Sequence, residues 1–187
     1  PDGNILWDCL SLVDEASITR IAAAGGLTAV AISHPHFYSA MVEWSTAFGG
    51  VPVYLHADDR EWVQRPDPAL HHWTGEIMPL GRAIMIRCGG HFAGSSVLHC
   101  PWAADGRGAL FTGDTMQVVP DRRHVSFMRS YPNLIPLDAG TAKTIVAAVR
   151  PYPFEVVYGA FADRTIESDG RNAVDRSLER YTGALDG

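Results

Sequence analysis

Cysteine is scarce in this chain: Cys9, Cys88 and Cys100 are the only three in 187 residues, and no two are spaced C-x-x-C. A sparse, odd set excludes a disulfide framework and fits a reducing compartment, so the cytoplasm is the expected location. Long apolar runs are lacking too. No segment approaches the roughly 18 consecutive apolar residues of a transmembrane helix, and no signal peptide is visible, so no membrane partner is expected. Basic charge is thin: 15 Lys and Arg against 21 Asp and Glu leave a net charge of −6, with no run of either sign. Without a basic stripe there is no electrostatic footprint for nucleic acid. Internal repeats and low-complexity tracts are absent. What is present is a globular composition, 47% hydrophobic and 19% charged. The length suits one domain over residues 1–187 with a sizeable core.

The hydrophobic pattern predicts alternating strands and helices at both ends and a β-rich middle. Asn4 to Trp7 reads as a strand, and Leu12 to Ala24 as a helix stopped by Gly25-Gly26. Thr28 to Ile32 is a second strand. Ser39 to Phe48 is a helix with Met41, Trp44 and Phe48 on one face and Ser39 at its N-cap. Val51 to Leu55 is a strand and Asp58 to Gln64 a short helix, and Pro66-Asp67-Pro68 marks a break. Four strands follow, over Gly75 to Leu80, Ala83 to Cys88, Ser95 to Cys100 and Gly108 to Thr112. Asp121 to Pro136 reads as a long loop, a lid or binding loop. Thr141 to Val149 is a helix, Val156 to Tyr158 a strand, and Arg171 to Thr182 a helix with Val174, Leu178 and Tyr181 on one face.

Chemistry concentrates at strand ends. Ser33-His34-Pro35-His36-Phe37-Tyr38-Ser39 directly follows the apolar run Leu27 to Ile32. An extended backbone there would turn Pro35 away and face both rings to one side. Gly90-His91 and Thr112-Gly113-Asp114-Thr115 close later strands in glycine-rich corners. Three neutral imidazoles suit a borderline ion such as zinc and leave a position open for catalysis. Histidine pairs also occur as hydrogen-bonded core residues, and an aspartate in Thr-Gly-Asp-Thr can be a turn cap. His56 is expected to pack or hydrogen-bond, His71-His72 to lie on the surface, and His99 to lie within a strand. His124 and Arg129 either bind an anionic substrate or are solvated. Asp8 and Asp163 are expected to orient neighbouring loops or ligands.

The run of motifs, from Gly3 to about Gly159, resembles the metallo-β-lactamase superfamily of metal-dependent hydrolases. The superfamily signature is H-x-H-x-D-H after a strand, then Gly-His, Gly-Asp and a final His. His34, His36, His91 and Asp114 match it; Tyr38 and Ser39 stand where it has Asp and His, and Ala160 where it has the last His. The resemblance implies an α/β (α+β) fold, an αββα sandwich, lacking in this chain the N-terminal strands that usually precede the one ending at Asp8. The missing side chains serve mainly a second metal, so the resemblance implies one ion per chain. That ion is expected to be zinc, with iron or manganese as alternatives, held by His34, His36 and His91. Asp114 is a fourth ligand or a base orienting the water, and Tyr38 is an oxyanion donor or a bulky plug.

The expected activity is hydrolysis of an ester, thioester, amide or phosphoester by a metal-activated water. A catalytically silent metal-binding or scaffolding relative is the rival, and iron-dependent redox chemistry a third, weaker option. The expected partner is a small-molecule substrate, and a homo-oligomer is compatible with the composition.

Overall fold

The computed structural model describes residues 3–186. In chain order the elements are β1 (Asn4–Trp7), α1 (Glu15–Ala23), β2 (Leu27–Ala31), α2 (Met41–Ala47), β3 (Val53–His56), β4 (Leu70–Trp73), β5 (Ile77–Leu80), β6 (Ala83–Arg87), β7 (Ser96–Cys100) and β8 (Ala109–Phe111). They continue with β9 (Gln117–Val118), β10 (Val125–Ser126), β11 (Met128–Ser130), β12 (Ile135–Pro136), α3 (Ala139–Val149), β13 (Val156–Tyr158), β14 (Thr165–Ile166) and α4 (Gly170–Asp186). Short 3-10 turns cover Pro35–Phe37 and Ala57–Trp62.

Two sheets carry the fold. One is four-stranded and parallel, in the order β1-β2-β3-β4; the other is six-stranded and mixed, in the order β14-β13-β8-β7-β6-β5. Alternation along each strand decides which residues fill which layer. In β2, Ala29 and Ala31 face the second sheet, where they pack with Met85, Leu98 and Cys100. Val30 and the following Ile32 point the other way, into a cluster with Met41 and Trp44 of α2 and Leu55 of β3. In β6 and β7, Ile86 and Val97 face the opposite layer, where Ile145 and Val149 of α3 and Val174 of α4 cover them. The result is helix, sheet, sheet, helix: the expected αββα sandwich.

Local signals set the element ends. Asp14 caps α1, its Oδ1 accepting from the Ser17 N–H at 2.7 Å, so the helix starts three residues later than the periodicity suggests. Gly26 N–H bonds back to the Ile21 carbonyl and Gly25 N–H to Ala22, closing the helix as expected.

Four expectations need correction. Ser39 does not cap α2, because the chain is already turning through Pro35–Phe37 and the cap position falls to Ala40 without a side-chain bond. The same turn replaces the extended segment expected at His34-Pro35-His36. His71-His72 lie in β4, paired in register with Tyr54 and Leu55 of β3; His71 is exposed as expected, but His72 is half-buried, next to buried Trp73. The run 121–136 is no free lid, since it folds into the β9–β10 and β11–β12 hairpins, and Val125 and Phe127 pin it to the core.

Among the described residues β1 pairs only with β2, and no helix is long and apolar enough to cross a membrane. Alanine at the inter-sheet positions keeps the two sheets close. Ala29→Leu should therefore overpack that layer and cost about 1–3 kcal/mol, read as a lower urea midpoint at unchanged slope. An unchanged midpoint would show that the sheets are not in contact there.

Candidate metal centre

The two sheets bring their strand ends to one place. His34 follows β2, His91 lies in the turn between β6 and β7, and Asp114 follows β8. One ligand atom from each of His34, His36, His91 and Asp114 lies within 4.8 Å of all the others. The facing atoms are Nε2 of His34, Nδ1 of His36, Nε2 of His91 and Oδ2 of Asp114. Nδ1 of His36 is 3.2 Å from His34 Nε2 and 3.4 Å from His91 Nε2. Oδ2 of Asp114 stands 3.6, 3.8 and 3.9 Å from the nitrogens of His34, His36 and His91. His34 reaches with its far ring nitrogen and His36 with its near one, which lets a tight turn rather than a strand present both.

Neighbouring groups fix which nitrogen is free. The Ser33 hydroxyl donates to Asp8 Oδ2 at 3.0 Å, so His34 Nδ1–H donates to Ser33 Oγ at 2.7 Å and its Nε2 keeps a lone pair. Asp8 Oδ1 also accepts the Ser33 N–H at 2.7 Å. His91 Nδ1–H donates to the Met128 carbonyl at 3.2 Å, again leaving Nε2 as an acceptor. Gly113 makes this approach possible. Its φ is +50°, and a Cβ there would stand 2.5 Å from Ser33 Oγ.

Burial sets the charge state. It pushes the His34 ring below the ordinary histidine range against the pull of Asp114. It takes His91 down to about 4, with the His34 ring adding to the effect. Burial thus drives both rings toward the neutral form that a metal would require. Burial alone would raise Asp114, but His34, His91 and His36 outweigh it and hold the carboxyl below its usual value. Burial raises Asp8 to about 7 in spite of its two bonds to Ser33, and Asp114 adds to that rise.

The donor set fits a metal ion. Four ligands placed tetrahedrally about 2.0–2.2 Å from an ion stand roughly 3.3–3.6 Å from one another, close to the separations seen. Lone pairs of His34 and His91 facing a carboxylate repel unless a cation lies among them. Asp114 Oδ1 is buried with no hydrogen-bond partner, an orphaned acceptor in the same corner.

The remaining expectations sort as follows. Tyr38 lines a cavity of about 360 Å³ together with His36, and its ring packs against the α2 cluster. Ala160 follows β13, the strand parallel to β8, at the same sheet edge. His56 packs edge-on against Trp73, and His99 bonds the Pro153 carbonyl at 2.7 Å. His124 is tied to Asp121 at 2.7 Å and stands outside the donor cluster, as does exposed Arg129. Asp163 lies exposed in a left-handed turn, outside the donor cluster. A larger cavity, about 540 Å³, lies between Asp121–Arg123 and Thr165–Asp169 and holds none of the four donors.

Tyr131 was not foreseen. Its hydroxyl lies 3.0 and 3.1 Å from the Asp114 and Ser126 carbonyls, sharing one proton between them, and accepts the Gln117 N–H at 3.1 Å. It thus clamps the Asp114 corner from the β11–β12 hairpin. An aromatic in a stretch read as loop carried no signal for this.

No protein-family model matches the chain. Among solved structures it superposes on the Rm3 metallo-β-lactamase with a TM-score of 0.64, at 14% identity over 100% of this chain and 83% of that one. The metallo-β-lactamase of Cronobacter sakazakii gives 0.61 at 16% identity, over 100% and 86%. The chain has the metallo-β-lactamase fold. TTHA1623 in a di-iron-bound form gives 0.57 at 22% identity, over 83% and 80% of the two chains. In sequence the chain is 45% identical over 183 residues to the "Uncharacterized protein YmaE" of Bacillus subtilis (strain 168). That match covers 97% of this chain, which spans 66% of the relative's length.

Two measurements bear on the site. Ser33→Ala removes the acceptor that fixes His34 and should weaken metal binding about 10–100-fold in a chelator competition, with one ion still bound per chain. In metal-free protein the His91 ring should titrate at about 4, followed by its NMR shifts. The unfolded chain takes up that proton near 6.5, so His91 withdraws stability as the pH falls from about 6.5 to about 4, and none above. Asp8, held up at about 7, acts in the opposite sense between its ordinary range and 7. A His91 midpoint near 6.5 would show an open, solvated ring.

Proposed function

We propose that the chain is a metal-dependent hydrolase of the metallo-β-lactamase superfamily, with one zinc ion held by His34, His36, His91 and Asp114. The observation that carries this reading is the convergence of three imidazole nitrogens on a carboxylate whose second oxygen is buried and unpaired. When bound, such an ion supplies Lewis acidity and lowers the pKa of a coordinated water toward neutrality. The substrate is a small molecule with an ester, thioester, amide or phosphoester centre.

The chain's own residues supply the rest. The Asp114 carboxylate, whose Oδ2 faces the three imidazole nitrogens, would orient the attacking water and take its proton. The Ser33–Asp8 pair and the Met128 carbonyl hold the His34 and His91 rings in place. Tyr38 stays a phenol, because burial raises its pKa and the charges of Asp59 and Asp8 add to the rise. Its hydroxyl is therefore a donor for a developing oxyanion at the cavity wall. Tyr38, Ser39 and Ala160 stand where the superfamily signature has ligands of a second ion, which supports a single ion. The same three residues also favour a second reading, a silent metal-binding relative. The three cysteines are buried and form no disulfide with one another, which is compatible with a reducing, cytoplasmic setting.

Metal-loaded protein should turn over generic esters, thioesters, amides or phosphoesters. Asp114→Ala should cut kcat/KM by about 10²–10⁴. Tyr38→Phe should cut kcat by about 10²–10³ without changing metal content. No turnover of any of the four classes by loaded protein favours the silent relative, and an unchanged rate in Tyr38→Phe makes that residue filler.

A further inference from the structure

The cavity of about 360 Å³ beside His36 has a chemistry of its own. Pro35, Tyr38, Met41, Val42 and Trp62 make its walls largely apolar, and Gln64 and Arg65 add amide and guanidinium groups to the lining. Trp62 is 49% exposed, a large ring left open to solvent. It stands edge-on to Phe92 at 5.4 Å, and Phe92 in turn contacts His36 edge-on at 5.0 Å and stacks with His34 at 5.8 Å. An aromatic wall therefore runs unbroken from the histidines into the cavity.

We propose that this cavity binds a neutral arylalkyl acyl group, with its carbonyl end at His36 and Tyr38, its ring against Trp62, and Gln64 and Arg65 donating to any polar atom beyond. At the ~30 Å³ that a water claims in the liquid, the volume holds roughly a dozen non-hydrogen atoms, a ring and a short chain rather than a long lipid tail. Offset or edge-to-face contact with Trp62, itself backed by Phe92, favours an aromatic over a branched aliphatic occupant. Arg65 pairs through one nitrogen with Glu43 at 2.7 Å. That carboxylate offsets its charge, so this part of the lining selects a neutral acceptor over an anion, while other guanidinium N–H groups remain as donors. Only the direction in which the group lies rests on the hydrolytic reading; the cavity does not.

The test uses 3-phenylpropanamide as probe, titrated into metal-free and zinc-loaded protein and followed by NMR. Saturable binding should shift the Trp62 indole N–H in both forms, while acetamide gives none and the 3-phenylpropanoate anion binds more weakly. Trp62→Ala, at an exposed position, and Val42→Trp, which fills the cavity, should each weaken the probe about tenfold or more with zinc stoichiometry unchanged. Unaltered affinity in both variants, or shifts only elsewhere, overturns the proposal. So does turnover of 4-nitrophenyl acetate by protein that does not bind the probe, which leaves the hydrolase standing. Probe binding that both variants weaken, with no hydrolysis of 4-nitrophenyl 3-phenylpropanoate by loaded protein, upholds the cavity and overturns the hydrolase.

Discussion

Beside the four candidate donors a backbone hydrogen bond joins the two sheets, from the Ser96 N–H at the head of β7 to the Ser33 carbonyl just past β2, at 2.9 Å. It is possible only because the layer between the sheets is thin. Ala29 and Ala31 present almost no side chain to Met85 and Leu98, so β2 lies close against the second sheet. His34 belongs to one sheet, and His91 and Asp114 to the other. Larger residues in that layer would part the sheets and pull the donors out of one coordination sphere. Packing of small apolar residues thus sets the geometry of a polar site several residues away.

That site is an arrangement of groups costly to bury singly. Desolvation drives the His34 and His91 rings toward the neutral form beside a carboxyl whose pKa lies below its ordinary value. Each His34 and His91 ring has its outer N–H tied, to Ser33 or to the Met128 carbonyl, so the inner nitrogen is presented without a rotamer search. His36 differs. Its side chain is about half exposed (54%), and it stands between the donor cluster and the cavity beside Tyr38. It is both a ligand candidate and part of the wall a substrate would pass.

The segment between β8 and α3 shows how a stretch without periodicity still serves the centre. Phe127 and Val125 anchor it in the core, the Met128 carbonyl takes the His91 proton, and Tyr131 clamps Asp114 through its backbone. Each contact spans a sequence distance that no local pattern encodes. The β4 strand was hidden for a related reason. Leu70-His71-His72-Trp73 lacks the alternation of a half-buried strand, and its extended form comes from parallel pairing with β3.

By itself the sequence determined the layers and the donors. The apolar runs Leu27 to Ile32 and Ala83 to Ile86, the helical spacing of Met41, Trp44 and Phe48, and the glycine corners suffice because they are local consequences of backbone geometry. His34, His36, His91 and Asp114 were legible because ligand chemistry restricts residue type and strand ends restrict place. Tertiary structure decided what depends on contacts between distant segments: which ring nitrogen faces inward, the turn that converges His34 and His36, the close fit of Gly113 against Ser33, and the Tyr131 clamp. It also decided that Tyr38 lines a cavity beside His36. Those outcomes follow from two sheets packed face to face with their strand ends together, which brings residues 25 to 80 positions apart into one place, a distance over which no periodicity carries information.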